Sequence, residues 1–515
     1  MFSMLLLSSC NSDKHLSTDS SNSADNSAES SLDSSSDVDV ESDKELSSGE
    51  GSEASKQPAG TDKPSASKAP TASNDKVEAV KVGPNIPKIN YPNPPNNNFE
   101  YKNLANTMTG DMKFLAAKSE NFTVSPAKTV DVFGSKTRIF NALDFGATPN
   151  DLTDDSAALN SAIQQMRALS SQATLYIPAG LYIINQPLKF YGGMRVIGDF
   201  KSIENRNGTI FLAYYGHGNE DLDPLISVDG TSAIKGIEIY YPKQSKANPV
   251  KYPPTIKGGG DRITLEDMFI VNAWYAIDLN IASGQHHVRN VYGQPLKTGI
   301  IIDYAKDVGR LDNVNFHAYW SIHAAEFTRK NLTGIQFLTT DWQYVEEVHI
   351  SNANVGLEFK MFSSGKPNVI INRSEIKNSN YSVKILDCQT HAGVTFSETT
   401  FDGQFYVEYS NTGPIRVENC TFKSNSYQNN LLNLHGAGTI IIRNSKIDSS
   451  RNKELSVPVI RLNVDKAIIT NNSFIGSHKT HILIDTETKS AVLKGNTVKD
   501  GKLVVDKKGT GQYSY

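Results

Sequence analysis

The sequence predicts an all-β fold: a single parallel β-helix with one α-helix near its N-terminal end and a disordered tether ahead of it. Three observations carry this. Short alternating strands recur from about residue 230 with a spacing of mostly 21 to 29 residues. One segment of helical periodicity precedes them. Residues 11–70 hold 18 serines, 13 acidic residues and 5 lysines, with almost no aromatic or β-branched side chain, and cannot bury a core.

The chain divides accordingly into residues 1–10, 11–98 and 99–515. From residue 58 to about 98 the acidic, Ser-rich composition gives way to Pro, Asn and Lys, and Pro84, Pro87, Pro92, Pro94 and Pro95 make this part of the tether extended and partly stiff. Compact structure is expected to begin between Phe99 and Phe140 and to continue as one body. No later segment approaches the roughly 18 apolar residues of a membrane-spanning helix. The whole chain carries −4 and residues 11–70 carry −8, so the remainder carries +4. That surplus suits an anionic substrate where it clusters, but it is too thin for nucleic acid. The three cysteines, Cys10, Cys388 and Cys420, exclude a disulfide-dense scaffold and a CxxC-type zinc site. Cys388 ends a strand of one series and Cys420 lies within another, so both are expected as free, buried thiols. No cofactor or metal is evident; calcium stays open, with no Asp cluster arguing for it.

At the start of the chain, Leu7, Ser8, Ser9 and Cys10 follow the apolar run Met4, Leu5 and Leu6. This is similar to a bacterial lipobox. The resemblance implies a signal peptide, lipidation at Cys10 and a protein held at the cell envelope, on the outer membrane or cell surface, through that lipid anchor alone. Residues 11–98 are then the spacer such an anchor needs.

The body opens with Phe140, Asn141 and Ala142 leading to Phe145, Gly146 and Ala147, and continues to a helical segment. Leu159, Ala162, Ile163, Met166 and Leu169 recur at intervals of three and four and mark one helix face. Thr153, Asp154 and Asp155 stand where they cap its N-terminus and favour its dipole, and are read as structural. Residues 173–184 form two short strands around Pro178 and Gly180, followed by a third at 194–199. The runs FGA, LTDDSAALNSAI, LYIPAGLYII and RVIGD together resemble the opening of the pectate-lyase superfamily of right-handed parallel β-helices, an opening shared with phage tailspikes. The resemblance implies a right-handed solenoid whose N-terminal end the helix covers, because an open end exposes sheet edges. It also implies a polysaccharide partner and, from the tailspikes, a homotrimer, for which the sequence shows no coiled-coil seam.

The repeat is legible without the family. One strand series lies at 234–240, 263–271, 288–293, 311–317, 345–351, 369–376, 394–401, 415–422, 440–447, 468–475 and 492–498. Second short strands fall between, at 276–279, 299–303, 355–359, 382–386, 405–408 and 482–484. Two or three strands per turn at this period give about eleven rungs, each burying its aliphatic residues against the next. Asn419, Asn444, Asn471, Asn472 and Asn496 at the bends tolerate left-handed backbone and stack between rungs.

The candidate site lies at residues 285–350, where titratable and aromatic residues concentrate. Placing Val288, Val291 and Gly293 inward sends Arg289 and Tyr292 outward; Leu311, Val314 and Phe316 inward leave Asp312, Asn315 and His317 outward; Val345, Val348 and Ile350 inward leave Glu346 and His349 outward. With rungs about 5 Å apart, these seven residues are expected to share one groove. Trp320 and Trp342 flank an insertion and offer flat surfaces for sugar rings; Gln294 and Lys297 complete the substrate contacts.

Two chemistries fit. A lyase on a uronate needs a cation or amide for the carboxylate, a base for the C5 proton and an acid for the leaving oxygen: Arg289 or Arg310, His317 and Tyr292. A hydrolase needs two carboxylates, for which Asp312 with Glu346, or Asp303 with Asp307, are the available pairs. Asp303 and Asp307 also flank a turn that they would cap. The polygalacturonase signature is absent apart from Gly216, His217 and Gly218, which lie ahead of the candidate rungs. The run from Gly293 through Trp320 resembles bacterial relatives labelled as similar to glycoside hydrolase family 28. The expected function is degradation of an extended, acidic exopolysaccharide or capsule, with a non-catalytic glycan-binding solenoid and a uronan C5-epimerase as the alternatives.

Overall fold

The computed structural model describes residues 129–515, except 133–134, 169–172, 201–202, 204–206, 364, 425–428, 508, 510 and 515. The signal-like segment with Cys10, the tether and the start of the body therefore lie outside the described residues, as does Leu169. Within them the chain is a parallel β-solenoid of about 13 turns. The sequence count of eleven omitted the turns before residue 230.

An antiparallel hairpin, Thr129–Val132 with Ser135–Asn141, starts the described chain. Every later strand pairing is parallel and falls into three ladders. The first runs from Ser135–Asn141 through Ala173–Tyr176, Arg195–Ile197 and Ala233–Lys235 down to Gly511–Ser514. The second runs from Gly180–Ile184 through Thr209–Ala213 and Ile237–Tyr240 to Thr497–Val498. The third runs from Leu188–Phe190 through Ile226–Asp229 to Lys502–Asp506. The helix α1, Ser156–Ala168, covers the N-terminal end, with Leu159, Ala162, Ile163 and Met166 buried. A short second helix, α2, Ala325–Asn331, sits in the insertion between two turns.

Each member of the strand series read from sequence contributes to two ladders, because one residue between the first and second ladders is left-handed. Asp267, Asn290, Asn313, Glu347, Arg373, Glu398, Asn419, Asn444 and Asn471 occupy this position, with φ between 43° and 56°. Asparagine is the familiar residue for such a bend; that Glu and Arg take it too shows the stacked ladder imposing the conformation. The next residue points inward and forms a buried polar ladder in the C-terminal half. The N–H of Ser374 bonds Thr399 Oγ1 at 3.4 Å, that of Cys420 bonds Ser445 Oγ at 3.1 Å, that of Ser445 bonds Asn472 Oδ1 at 2.9 Å, and that of Asn472 bonds Asn496 Oδ1 at 3.0 Å. So Asn419, Asn444 and Asn471 are the left-handed residues, while Asn472 and Asn496 are interior ladder members.

One apolar core follows the solenoid from Ala142 to Val504. Rings stack from turn to turn within it, Phe337 on Phe359 at 5.0 Å and Phe401 on Phe422 at 5.1 Å. Cys388 and Cys420 are free and buried, and burial pushes their thiols up to about 12 and about 11. Asp154 bonds the N–H and hydroxyl of Ser156, at 3.1 and 2.6 Å. Asp155 does not cap the helix with its side chain; its carboxylate takes the N–H groups of Thr148 and Ile183, at 2.8 and 3.0 Å, and so ties the loop before α1 to the first turn. Among the described residues no helix is long and apolar enough to cross a membrane.

Candidate functional site

Strands Thr264–Ile270, His287–Gly293 and Gly309–Phe316 run through the left-handed bend and belong to both ladders, which aligns their outward residues. On the first ladder Glu266, Arg289, Asp312 and Glu346 stand in register. On the second, Tyr292, Asn315, His349 and Glu375 do. Val288, Val291, Leu311, Val314, Phe316, Val345, Val348 and Ile350 are all buried, so the inward and outward assignment holds. The shared groove is corrected: the bend at Asn290, Asn313 and Glu347 divides the seven residues between two rows.

The first row is occupied by its own counter-charges. Arg289 pairs with Glu266, which Lys235 also reaches at 3.2 Å. His287 Nε2 lies 2.6 Å from Asp312 Oδ2, and Glu346 pairs with Arg373 from the following turn. Arg310 has no carboxylate partner among the described residues; its guanidinium lies over the Tyr344 ring, 5.3 Å from the centroid. The carboxylate pair Asp303 and Asp307 is in neither row. Asp303, 3% exposed, accepts the N–H groups of Tyr304 and Thr339 at 2.8 and 2.9 Å, and Asp307 accepts that of Val308 at 2.8 Å together with the Gln285 amide. Both pin the corner between the third and first ladders.

The second row is aromatic and less neutralised. His317 follows Phe316, and its Nδ1 lies 2.6 Å from Ser351 Oγ. Partial burial and the nearby Lys377 ammonium hold its imidazole below the ordinary value of 6.5, so the ring is neutral at pH 7. The Tyr319 ring stands edge-on to both His317 and Tyr292, at 5.7 and 6.5 Å. Asn313 donates to the Tyr292 hydroxyl at 2.9 Å. Glu375 is bound by Lys377 at 2.7 Å and approached by His349 at 3.8 Å.

The expected substrate contacts separate. Gln294 is 3% exposed and spent on the insertion: its oxygen accepts the N–H groups of Trp320 and Ser321, both at 2.8 Å, and its amide donates to the Ser321 carbonyl at 2.8 Å. It is a loop anchor, since a buried amide with these bonds made has no surface to offer. Lys297 stands at the corner just before Thr298–Ile302. Trp320 is partly buried against the core and against a smaller apolar cluster containing Phe269. Trp342 is 46% exposed but at the opposite margin, one residue before Gln343–Glu346.

To the candidate residues the structure adds His287, Ser351 and Lys377. His287 was readable, being two residues from Arg289 on the same side of a strand; Ser351 and Lys377 join only through cross-turn register. The outer face of the third ladder was passed over altogether, although it carries Lys257 with Asp278 at 3.4 Å and Gln336, Glu358 and Lys360 in one network. Among the described residues no three His, Cys, Asp or Glu side chains converge as metal ligands would.

Residues 139–215, which hold α1 and the first turns, match the family described as Rhamnogalacturonase A/epimerase, pectate lyase-like. The likeness to that family is carried by this segment, at the N-terminal end of the solenoid. None of the candidate residues falls in the matched segment. A glucan 1,3-beta-glucosidase of Cochliobolus carbonum is 37% identical over 68 residues, 12% of this chain and 9% of that protein. The chain thus spans about a tenth of the length of the curated relatives it matches. Among solved structures, the A-module of the Azotobacter vinelandii mannuronan C-5 epimerase AlgE4 is 13% identical, with a TM-score of 0.49 over 73% of this chain and 100% of that one. PfbA, a surface adhesin of Streptococcus pneumoniae, is 14% identical, with a TM-score of 0.47 over 71% and 93%.

Proposed function

We propose that this pectate-lyase-like β-helix cleaves an acidic polysaccharide by β-elimination at the second row. The observation that carries the reading is His317: neutral, held at Nδ1 by Ser351, with no partner on Nε2 among the described residues, and sharing with Tyr292 an edge-on contact to the Tyr319 ring. With Nδ1–H donating to Ser351, Nε2 carries the lone pair and takes the C5 proton of a uronate. The C5–H electrons form the C4–C5 double bond, the C4–O bond breaks, and the leaving oxygen takes the Tyr292 phenolic proton. The Asn315 amide holds the substrate carboxylate, since the Lys377 ammonium is taken by Glu375. Arg289, bound to Glu266, does not serve this role. A hydrolase reading is weaker because Asp312 and Glu346 each already face a cationic or imidazole partner, which leaves neither free to protonate a glycosidic oxygen.

The test incubates the full chain with polygalacturonate, alginate and bacterial capsular uronans, reading ultraviolet absorbance of unsaturated ends together with reducing ends. Both signals should rise together, and both should fall by about 10²–10⁴-fold in His317→Ala and Tyr292→Phe at unchanged melting temperature. The acid limb of kcat/KM should lie below pH 6.5, following the lowered imidazole. Reducing ends without absorbance would replace elimination by hydrolysis. Inversion at C5 without new ends would make the protein an epimerase, and binding without any product an adhesin.

A further inference from the structure

Strands Leu432–Arg443 and Ile460–Thr470 do not break where the third ladder meets the first, unlike the strands of the turns before them. They carry an outward row through that corner, with Asn433 opposite Arg461 and His435 opposite Asn463. Tyr406 is in register with Asn433 on the preceding turn. Around His435 the row is aromatic: its ring lies 6.0 Å from Tyr406 and 4.0 Å from Tyr409.

The polar bookkeeping of this row does not close. Asn433 Oδ1, His435 Nδ1 and Asn463 Oδ1 are out of contact with solvent and have no hydrogen-bond partner among the described residues. His435 is 3% and Asn463 8% exposed. An unmet buried polar atom costs roughly 1–3 kcal/mol, and three within one row are too many for a purely structural surface. Over His435 and Asn463 lies Tyr409, itself 54% exposed, with its ring 4.0 Å from that of His435 and its hydroxyl accepting from the Asn463 amide at 3.2 Å. A side chain that open, with one long hydrogen bond at its tip, swings aside at little cost.

The charges here are already matched. Arg461 makes two bonds to Asp485, at 3.0 and 2.7 Å, and Lys507 a third at 3.1 Å. Glu408 accepts the Tyr406 hydroxyl at 2.9 Å and the Tyr409 N–H at 3.1 Å. No unpaired cation waits for a carboxylate. Two amide oxygens and an imidazole nitrogen beside aromatic rings call instead for hydroxyl donors on a flat, partly apolar ring.

We infer that the row Asn433, His435 and Asn463 is a second carbohydrate site, specific for a neutral saccharide and closed by Tyr409. Sugar hydroxyls pair with the three atoms as Tyr409 turns out to stack on the ring. This site is separate from the second row of the proposed reaction and does not depend on it.

The test uses the full chain with maltohexaose and cellohexaose as neutral probes and hexagalacturonate as the acidic one, followed by ligand-observed saturation-transfer spectroscopy and titration calorimetry. A neutral hexasaccharide should bind the parent protein and the His317→Ala variant equally, which separates this site from the reaction. His435→Phe combined with Asn463→Leu roughly keeps the volume and removes two of the three unmet polar atoms. It should weaken binding at least tenfold while leaving the melting temperature equal or higher. Failure of both neutral probes to bind, unchanged binding in the double variant, or binding of hexagalacturonate alone through these residues would each overturn the proposal. So would a marked fall in melting temperature of the double variant, which would mean that bound water alone already satisfies the row.

Discussion

His286 shows how a single buried imidazole couples this fold to pH. Its Nδ1 lies 2.6 Å from the Ser283 carbonyl, the ring is buried against Gly309, and burial pushes it down to about 4 from an ordinary 6.5. A depressed folded value means that the unfolded chain binds the proton first. The contribution is therefore complete above pH 6.5 and is lost as pH falls toward 4, worth about 3 kcal/mol by linkage. Urea unfolding of His286→Phe should show a flatter dependence of stability on pH between 6.5 and 4 than the parent; an unchanged slope would mean that another group governs this range. Its neighbour His287 differs only in facing outward, where it meets Asp312. The alternation of side chains was legible in the sequence here; the partner of each imidazole was not, because Ser283 and Asp312 reach them by a turn and by cross-rung register respectively.

At the scale of the element, the bend between the first two ladders does most to define the cross-section. The sequence marks it at Asn290, Asn313, Asn419, Asn444 and Asn471, but not at Glu347, Arg373 or Glu398, which no local propensity places in left-handed backbone. Their conformation follows from pairing with the turns on either side. Directly inside the bend, Asn472 receives on Oδ1 the N–H of Ser445 and donates from Nδ2 to the Ile442 carbonyl at 3.0 Å. Replacing it by Leu leaves the Ser445 N–H and the Ile442 carbonyl with one partner fewer. The expected cost is about 1–3 kcal/mol per group left unmet, read as a lower urea midpoint at unchanged m-value. Asn471→Gly, on the exposed left-handed position one residue earlier, should be close to neutral. If the two variants were equally mild, the interior ladder would be ornamental.

For the whole molecule, stability is close to a sum of turns and their interfaces, so the ends matter more than in a globular domain. The N-terminal end is closed by α1, whose Leu159 and Ile163 are fully buried on the first turns. Leu159→Asp with Ile163→Asp should detach the helix, costing several kcal/mol through unpaired buried charge and exposing the open rung to association. Light scattering should then show species larger than the parent's own, and a monodisperse, fully stable variant of the parent's size would mean that the end needs no cover. The sequence by itself determined the parallel β-solenoid, the helix ahead of it, the buried free thiols and which residues of each strand face outward, since these follow from periodicity and composition, and every turn repeats that information. Only the tertiary structure decided which outward residues meet: the division of the expected groove into two rows, the capture of Gln294 by the insertion, and the joining of His317 to Ser351. Those contacts form between turns some 20 to 35 residues apart in sequence, where register, set by bends and insertions of unequal length, selects the partner and no local pattern records it.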